Sequence, residues 1–252
     1  MKLETMCLHA GQKPDPATGA RAVPLYRTTS YVFRDSRHAA DLFALKEPGY
    51  IYTRIMNPTQ DVLERRLAEL EGGAGALALS SGTSAIFYTV INLCRAGDEV
   101  VSTQHLYGGT FTQFHDLLPG LGITVRFADA SDPESIDRAV TPKTRLVFCE
   151  AIGNPTLEVA DIAAIAEVAR AHKLPLAVDA TFVTPCLLRP IEHGADVVVH
   201  SMTKWLGGHG TAIGGAVVDA GRFDWTAGDF PSMQEPDAGY HDIRYAFDLD
   251  ED

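Results

Sequence analysis

The sequence lacks the features that would place a protein in a membrane, in the secretory pathway or on nucleic acid. No apolar run approaches the ~20 residues that span a bilayer, and the first residues include an early acid and no apolar signal segment. Cysteine is scarce, with 4 in 252 residues, no C-x-x-C pair and no zinc-ligand spacing. Acidic residues outnumber basic ones by 33 to 21, which disfavours nucleic acid and anionic lipid as partners. We therefore expect a reduced, cytoplasmic protein without a metal site.

Several common catalytic motifs are absent as well. There is no Walker A sequence, no His-Glu-x-x-His and no Gly-x-Ser-x-Gly. The segment Ser201-Met202-Thr203-Lys204 matches the Ser-x-x-Lys of penicillin-binding hydrolases, but their Ser-Asp-Asn and Lys-Thr-Gly motifs are missing. A hydrolase that is acylated on Ser201 stays open as an alternative, which mass spectrometry would reveal.

Short apolar runs alternate with helical patterns along most of the chain, which predicts an α/β fold with a mostly parallel sheet and helices on both faces. Residues 1–57 have no sustained period and predict an extended N-terminal arm, with one helical stretch over 36–46. Asn57-Pro58 is typical of a helix start and Gly72-Gly73 of a helix end. We predict further helices over residues 82–95, 110–118 and 162–172, and strands over 76–79, 99–102, 125–128, 145–150, 176–179, 197–200 and 215–218.

Ligands of such sheets bind at the carboxyl ends of the strands, so polar residues just after a strand are candidate site residues. Lys204 follows a very apolar strand and precedes a glycine-rich bend. It is either an exposed loop lysine or a nucleophile. In the second case, desolvation or a nearby cation would lower the pKa of its amine. Asp179 is either a cap carboxylate or the group that keeps a cofactor's pyridine nitrogen protonated.

Two further segments at these strand ends suit a phosphorylated aromatic ligand. Ser81-Gly82-Thr83-Ser84 opens a helix directly after a strand, so its amides and the helix dipole form an anion site, which is compatible with an ordinary serine cap. Tyr107 precedes Gly108-Gly109 and either stacks on an aromatic ring or covers the core.

Taken in order, these segments resemble the Cys/Met metabolism family of pyridoxal-phosphate (PLP) enzymes. The resemblance extends from residue 5 to about residue 245. It rests on the motifs at residues 8–12, 52–59, 106–110, 153–155, 178–179 and 200–204, while residues 207–215, 223–225 and 236–241 are similar to the sulfhydrylase branch in particular. It implies the aspartate aminotransferase-like fold of PLP-dependent transferases.

The resemblance also implies roles for particular residues. Lys204 would bind PLP as a Schiff base and later carry protons, Asp179 would pair with the ring nitrogen, and Tyr107 would stack on the ring and assist proton transfer. Asn154 would contact the ring hydroxyl. The phosphate would be bound by Ser81, Gly82, Thr83, Ser201 and Thr203.

A shared active site is a further implication of the resemblance. Tyr52 and Arg54 would reach the phosphate of a neighbouring subunit, which implies a homodimer or homotetramer. Residues 1–57 would then form an arm on that subunit and residues 58–252 the PLP-binding domain.

The implied reaction is γ-replacement on O-acetyl-L-homoserine by sulfide or methanethiol, giving homocysteine or methionine and acetate. Cystathionine γ-synthase, methionine γ-lyase and a non-catalytic subunit that keeps the fold remain alternatives. The sequence departs from the family at Ala180, where an asparagine is common. It also stops at Asp252, without the C-terminal domain that supplies an arginine for the substrate carboxylate. We expect a truncated form with weak or absent turnover on its own.

Overall fold

The computed structural model describes residues 1–248 and contains one seven-stranded sheet. Its strands are β1 (Gly75–Leu79), β2 (Glu99–Thr103), β3 (Thr124–Ala128), β4 (Thr144–Glu150), β5 (Leu176–Asp179), β6 (Val197–Ser201) and β7 (Gly215–Asp219). They lie in the order β1-β7-β6-β5-β4-β2-β3. Only β7 is antiparallel, to both β1 and β6, and the other pairs are parallel. The predicted mostly parallel sheet is confirmed.

The helices are α1 (Leu3–His9), α2 (Ser36–Phe43), α3 (Pro58–Glu71), α4 (Gly82–Leu93), α5 (Gly108–Thr112), α6 (Leu118–Gly120), α7 (Pro133–Ala139), α8 (Ile162–Ala171), α9 (Thr184–Leu187) and α10 (Pro231–Gln234). A π-helical turn, Gln113–Leu117, joins α5 to α6, and a 3₁₀ turn covers Pro190–His193. Within the described chain, no helix has the length and apolarity needed to cross a membrane.

Local sequence signals explain where α3 begins and ends. Asn57 caps the helix, with its side-chain oxygen accepting the Thr59 N–H at 2.9 Å, and Pro58 occupies the first turn. Gly72 ends it with a left-handed conformation, φ 75°. Both predicted ends are confirmed.

The hydrophobic core is divided between the two faces of the sheet. On β5, Leu176 and Val178 pack into the cluster that contains α8, whereas Ala177 packs into the cluster that contains α4. Side chains alternate between the faces of a strand, so a strand buried on both sides reads as a continuous apolar run. Such a sheet offers polar groups to a ligand mainly at its edges and strand ends.

The N-terminal region is less regular than the sheet, as predicted. It contains α2 within the predicted stretch, and also α1, which the sequence analysis did not predict and which has no buried residue. Val32 is 97% exposed and Leu25 78% exposed. The division into an arm and a PLP-binding domain remains a prediction, and the last four residues of that domain, 249–252, lie outside the described residues.

Candidate active site

Three neighbouring strands end side by side at one edge of the sheet. β4 ends at Glu150, β5 at Asp179 and β6 at Ser201. Glu150 is opposite Asp179 in the β4–β5 register, and Asp179 is opposite Val199, two residues before Ser201. The strand-end rule therefore brings Asp179 close to the turn that leads to Lys204.

The Asp179 carboxylate is partly buried and fixed in orientation. Its Oδ1 accepts the Thr181 N–H at 2.9 Å. Burial raises the pKa of Asp179, and hydrogen bonds from Thr181 and the charge of His200 act in the opposite direction. Within residues 1–248, no lysine, arginine or histidine nitrogen lies within 4.0 Å of this carboxylate. A cationic ring nitrogen would supply the missing charge partner, so the group fits the predicted role.

The start of α4 lies directly against the end of β6. Ser81 caps the helix, accepting the Ser84 N–H at 3.0 Å. Gly82 is buried, and a Cβ there would lie 2.5 Å from the Cβ of Ser201 and 2.8 Å from its Cα. Only glycine permits this approach. The first amides of a helix have no partner within it, so those of Gly82 and Thr83 could bind an anion next to the Ser201 side chain.

The two hydroxyls predicted to bind the phosphate differ in their surroundings. Thr203 Oγ1 donates to the carbonyl of Gly214 at 3.2 Å and accepts the Gly214 N–H at 3.1 Å. A phosphate would have to displace that interaction. The Ser201 hydroxyl makes no hydrogen bond to another described residue, which leaves it available for an anion.

Lys204 lies in a turn that follows β6, where its amide donates to Ser201 O at 3.2 Å and its carbonyl accepts the Gly208 N–H at 2.8 Å. The turn thus begins at the strand end that lies against the start of α4. Lys204 is exposed, however, so the structure does not show the burial that the sequence analysis considered for this residue.

Tyr107 and Asn154 belong to loops that meet at Glu150. Glu150 accepts the Tyr107 N–H at 2.7 Å. Burial and the Asp179 charge raise the pKa of Glu150 to about 8, while the backbone amides of Tyr107 and Asn154 act to lower it. The Tyr107 ring is 50% exposed, and a Cβ on Gly109 would lie 2.6 Å from its Cε1. This glycine therefore lets the ring lie against the start of α5.

Tyr52 and Arg54 lie together in the N-terminal region. The Arg54 guanidinium carbon is 5.6 Å from the centroid of the Tyr52 ring, and both residues are exposed. Neither side chain makes a hydrogen bond or ion pair with the strand-end residues anywhere in the described chain. Their role at the phosphate of another subunit remains a prediction.

Two residues of the site were missed by the sequence analysis. Thr181 connects Asp179 to the end of β6. The Thr181 amide donates to Asp179, and the Thr181 Oγ1 accepts the Ser201 N–H at 2.8 Å. A polar residue two positions after an aspartate is a common turn arrangement, which could have pointed to it. Glu150 ends a predicted strand just as Asp179 does, and its position at a strand end could have pointed to it.

Comparisons with known proteins show which family the chain resembles. The profile of the family described as "Cys/Met metabolism PLP-dependent enzyme" matches residues 4–236. An O-acetyl-L-homoserine sulfhydrylase of Leptospira meyeri is 54% identical over 244 residues, 97% of this chain and 55% of that protein. A homocysteine synthase of Schizosaccharomyces pombe is 56% identical over 245 residues, 96% of this chain and 57% of that one. The chain thus spans about half the length of the curated relatives it matches.

A solved structure from Campylobacter jejuni, described as an O-acetylhomoserine (thiol)-lyase, superposes with a TM-score of 0.95 at 38% identity. The match covers 99% of this chain and 62% of that one, which contains N'-pyridoxyl-lysine-5'-monophosphate. The likeness confirms the predicted fold class, the aspartate aminotransferase-like fold of PLP-dependent transferases.

Proposed function

The chain belongs to the Cys/Met metabolism family of PLP-dependent enzymes, and we propose that it catalyses γ-replacement on O-acetyl-L-homoserine. Sulfide or methanethiol takes the place of acetate, which yields homocysteine or methionine. The names of its relatives support this substrate. The structural observation that carries the proposal is the connected edge in which Thr181 bonds to both Asp179 and the end of β6.

The residues at this edge would hold the cofactor at both ends. The Asp179 carboxylate would accept a hydrogen bond from the protonated ring nitrogen, and Asn154 would contact the ring hydroxyl. PLP, when bound, supplies an electron sink that stabilises negative charge on the substrate Cα. A protonated ring nitrogen strengthens that sink, so the ionised state of Asp179 matters for rate as well as for affinity.

The phosphate would lie at the start of α4. Its charge suits the helix dipole and the Gly82 and Thr83 amides. Ser81 and the hydroxyls of Ser201 and Thr203 would complete the site.

Lys204 would bond covalently to the cofactor aldehyde and, once the substrate amine displaces it, move protons at the substrate carbons. An amine accepts a proton only when it is itself unprotonated. The Tyr107 ring would stack on the cofactor ring and assist these transfers. The exposure of Lys204 keeps it accessible to both cofactor and substrate.

The proposed assembly is a homodimer or homotetramer with shared active sites. Tyr52 and Arg54 would contact the phosphate bound by another copy, and the exposed apolar residues of the arm, such as Val32, would be covered there. If this holds, mixing inactive Arg54→Ala and Lys204→Ala proteins restores part of the activity, because one mixed site carries neither change.

We place the protein in the cytoplasm.

The test begins with the absorption spectrum of the protein titrated with PLP. A visible band that is fixed by borohydride and lost in Lys204→Ala is expected, with the label on the peptide that contains Lys204. Products are then identified with O-acetylhomoserine plus sulfide. Cystathionine from O-acetylhomoserine and cysteine, or methanethiol from methionine alone, would indicate the alternative enzymes. A stable acyl group on Ser201, with no PLP band, would refute the proposal.

A further inference from the structure

Glu150 connects two segments that the proposed function assigns to the cofactor. Its side chain is only 6% exposed. Its Oε1 accepts the Tyr107 N–H at 2.7 Å, and the Asn154 backbone amide also favours its charged form. In the sheet it is the direct neighbour of Asp179. One buried side chain is therefore bonded to the loop that carries Tyr107 and is influenced by the backbone amide of Asn154 in the second loop.

The Tyr107 ring has little else to hold it. It is 50% exposed, and its hydroxyl makes no hydrogen bond within residues 1–248. Its place is set by the backbone at the start of α5, where the Glu150 bond acts. A loop that is already ordered loses less conformational freedom when a ligand binds, so pre-ordering increases affinity.

We propose that Glu150 is a positioning residue, which holds the Tyr107 ring in place for the cofactor by accepting the Tyr107 amide, without touching the cofactor itself. The proposal rests on the proposed function for one point, that the cofactor binds at this edge. The acceptor atom is what matters here, and a negative charge is not required.

The neighbouring charges explain why an uncharged acceptor suffices. The Asp179 carboxylate next to Glu150 and burial both disfavour a second anion, and the pKa of Glu150 rises to about 8. Near pH 7 the carboxyl group is then largely neutral, and its carbonyl oxygen still accepts the amide proton. Glutamine offers the same oxygen in the same place, so Glu150→Gln is the conservative variant.

The test compares three variants. Glu150→Gln keeps the acceptor, Glu150→Leu removes it at similar volume, and Thr144→Val removes a hydrogen bond at the opposite end of β4. Thr144 is 2% exposed and its Oγ1 accepts the Thr141 N–H at 2.9 Å, so this control measures general weakening of the strand. If Glu150→Leu does not fold, Glu150→Ala replaces it.

Two quantities are measured: hydrogen exchange of the Tyr107 amide without cofactor, and PLP affinity by absorbance titration. We expect Glu150→Leu to exchange the Tyr107 amide about tenfold faster, the order of effect of one lost hydrogen bond, and to bind PLP about tenfold more weakly. Glu150→Gln and Thr144→Val should stay within about threefold of the unaltered protein on both readouts.

The proposal is overturned if Glu150→Leu keeps either the Tyr107 protection or the PLP affinity, or if Glu150→Gln loses as much as Glu150→Leu. Failure of the proposed function has a different signature, namely no Lys204-dependent PLP band in the unaltered protein. The exchange measurement needs no cofactor and decides the role of Glu150 on the loop in either case.

Discussion

Replacing Gly82 by alanine should show how much of the affinity for the cofactor comes from its phosphate. The new Cβ would lie 2.5 Å from the Ser201 Cβ and 2.8 Å from its Cα. Carbon atoms prefer about 3.5–4.0 Å, so the start of α4 and the end of β6 must separate by roughly 1 Å. Because one of the contacted atoms is backbone, rotation of a side chain cannot relieve the overlap.

Moving the start of α4 away from β6 should lower both the stability of the fold and the affinity for PLP, by different amounts. Overpacking destabilises by about 1–3 kcal/mol, part of which the better helix propensity of alanine, up to about 1 kcal/mol, offsets. The anion site loses more, because hydrogen bonds to a charged group are worth about 1.5–3 kcal/mol each. We expect PLP to bind about ten- to a hundredfold more weakly, at roughly 1.4 kcal/mol per tenfold.

The assay is a titration of the cofactor-free protein with PLP and, in parallel, with pyridoxal, which has no phosphate. Gly82→Ala should weaken PLP binding and leave pyridoxal binding nearly unchanged. Gly75→Ala is the matched control, because a Cβ at Gly75 would have no atom within 4 Å. An unchanged PLP affinity in Gly82→Ala, or an equal loss for pyridoxal, would refute the assignment of the phosphate to this helix start.

Three further predictions concern the ring end of the site. Gly109→Ala pushes the Tyr107 ring from its position. It should weaken PLP binding in the same titration by up to about tenfold, which is the contribution of one aromatic stack. The control is Gly108→Ala, whose new Cβ meets no atom within 4 Å and should leave PLP binding unchanged. Asp179→Asn removes the carboxylate that is proposed to pair with the ring nitrogen, and it should lower the turnover rate by at least about a hundredfold with little change in circular dichroism. Near-normal turnover would contradict the proposed role. The pKa of Glu150 rises from 4.5 to about 8. Between these two pH values the native protein keeps a proton on Glu150 that the unfolded chain has lost. The free energy of unfolding therefore falls as the pH rises, by at most roughly 5 kcal/mol. Glu150→Gln lacks this loss, so in urea unfolding it should gain stability relative to the unaltered protein between pH 5 and pH 8, and an unchanged difference would show that Glu150 titrates normally.

The sheet could be predicted from sequence because its signals are local. The strand at Leu176–Asp179 is found with its predicted bounds, since an apolar run buried on both faces and ended by a charged residue has no competing interpretation. The helix that begins at Asn57-Pro58 was predictable for a similar reason, because caps act within one turn. Short helices such as α7 (Pro133–Ala139) were missed, although Asp132-Pro133 carries the same type of start signal.

The site was predictable only in part, because its connections are not local. Lys204, Asp179 and Gly82 follow from the rule about strand ends, but nothing in the order of residues shows that Thr181 bonds to both Asp179 and the strand that leads to Lys204. The Glu150 bond to Tyr107 joins residues that are 43 positions apart. Such contacts depend on the order of strands in the sheet, which local patterns do not determine.

The two acids at the strand ends suit different tasks because their surroundings differ. Two neighbouring carboxylates that are both partly removed from water cannot both ionise without a large cost. Glu150 is contacted by neutral amides, and its pKa rises to about 8. Burial raises the pKa of Asp179 too, although Thr181 and His200 act to lower it, and a protonated ring nitrogen would favour its ionised form. Cofactor binding should therefore increase the difference between the two groups, leaving Asp179 as the anion that the ring needs and Glu150 as a neutral acceptor for the loop.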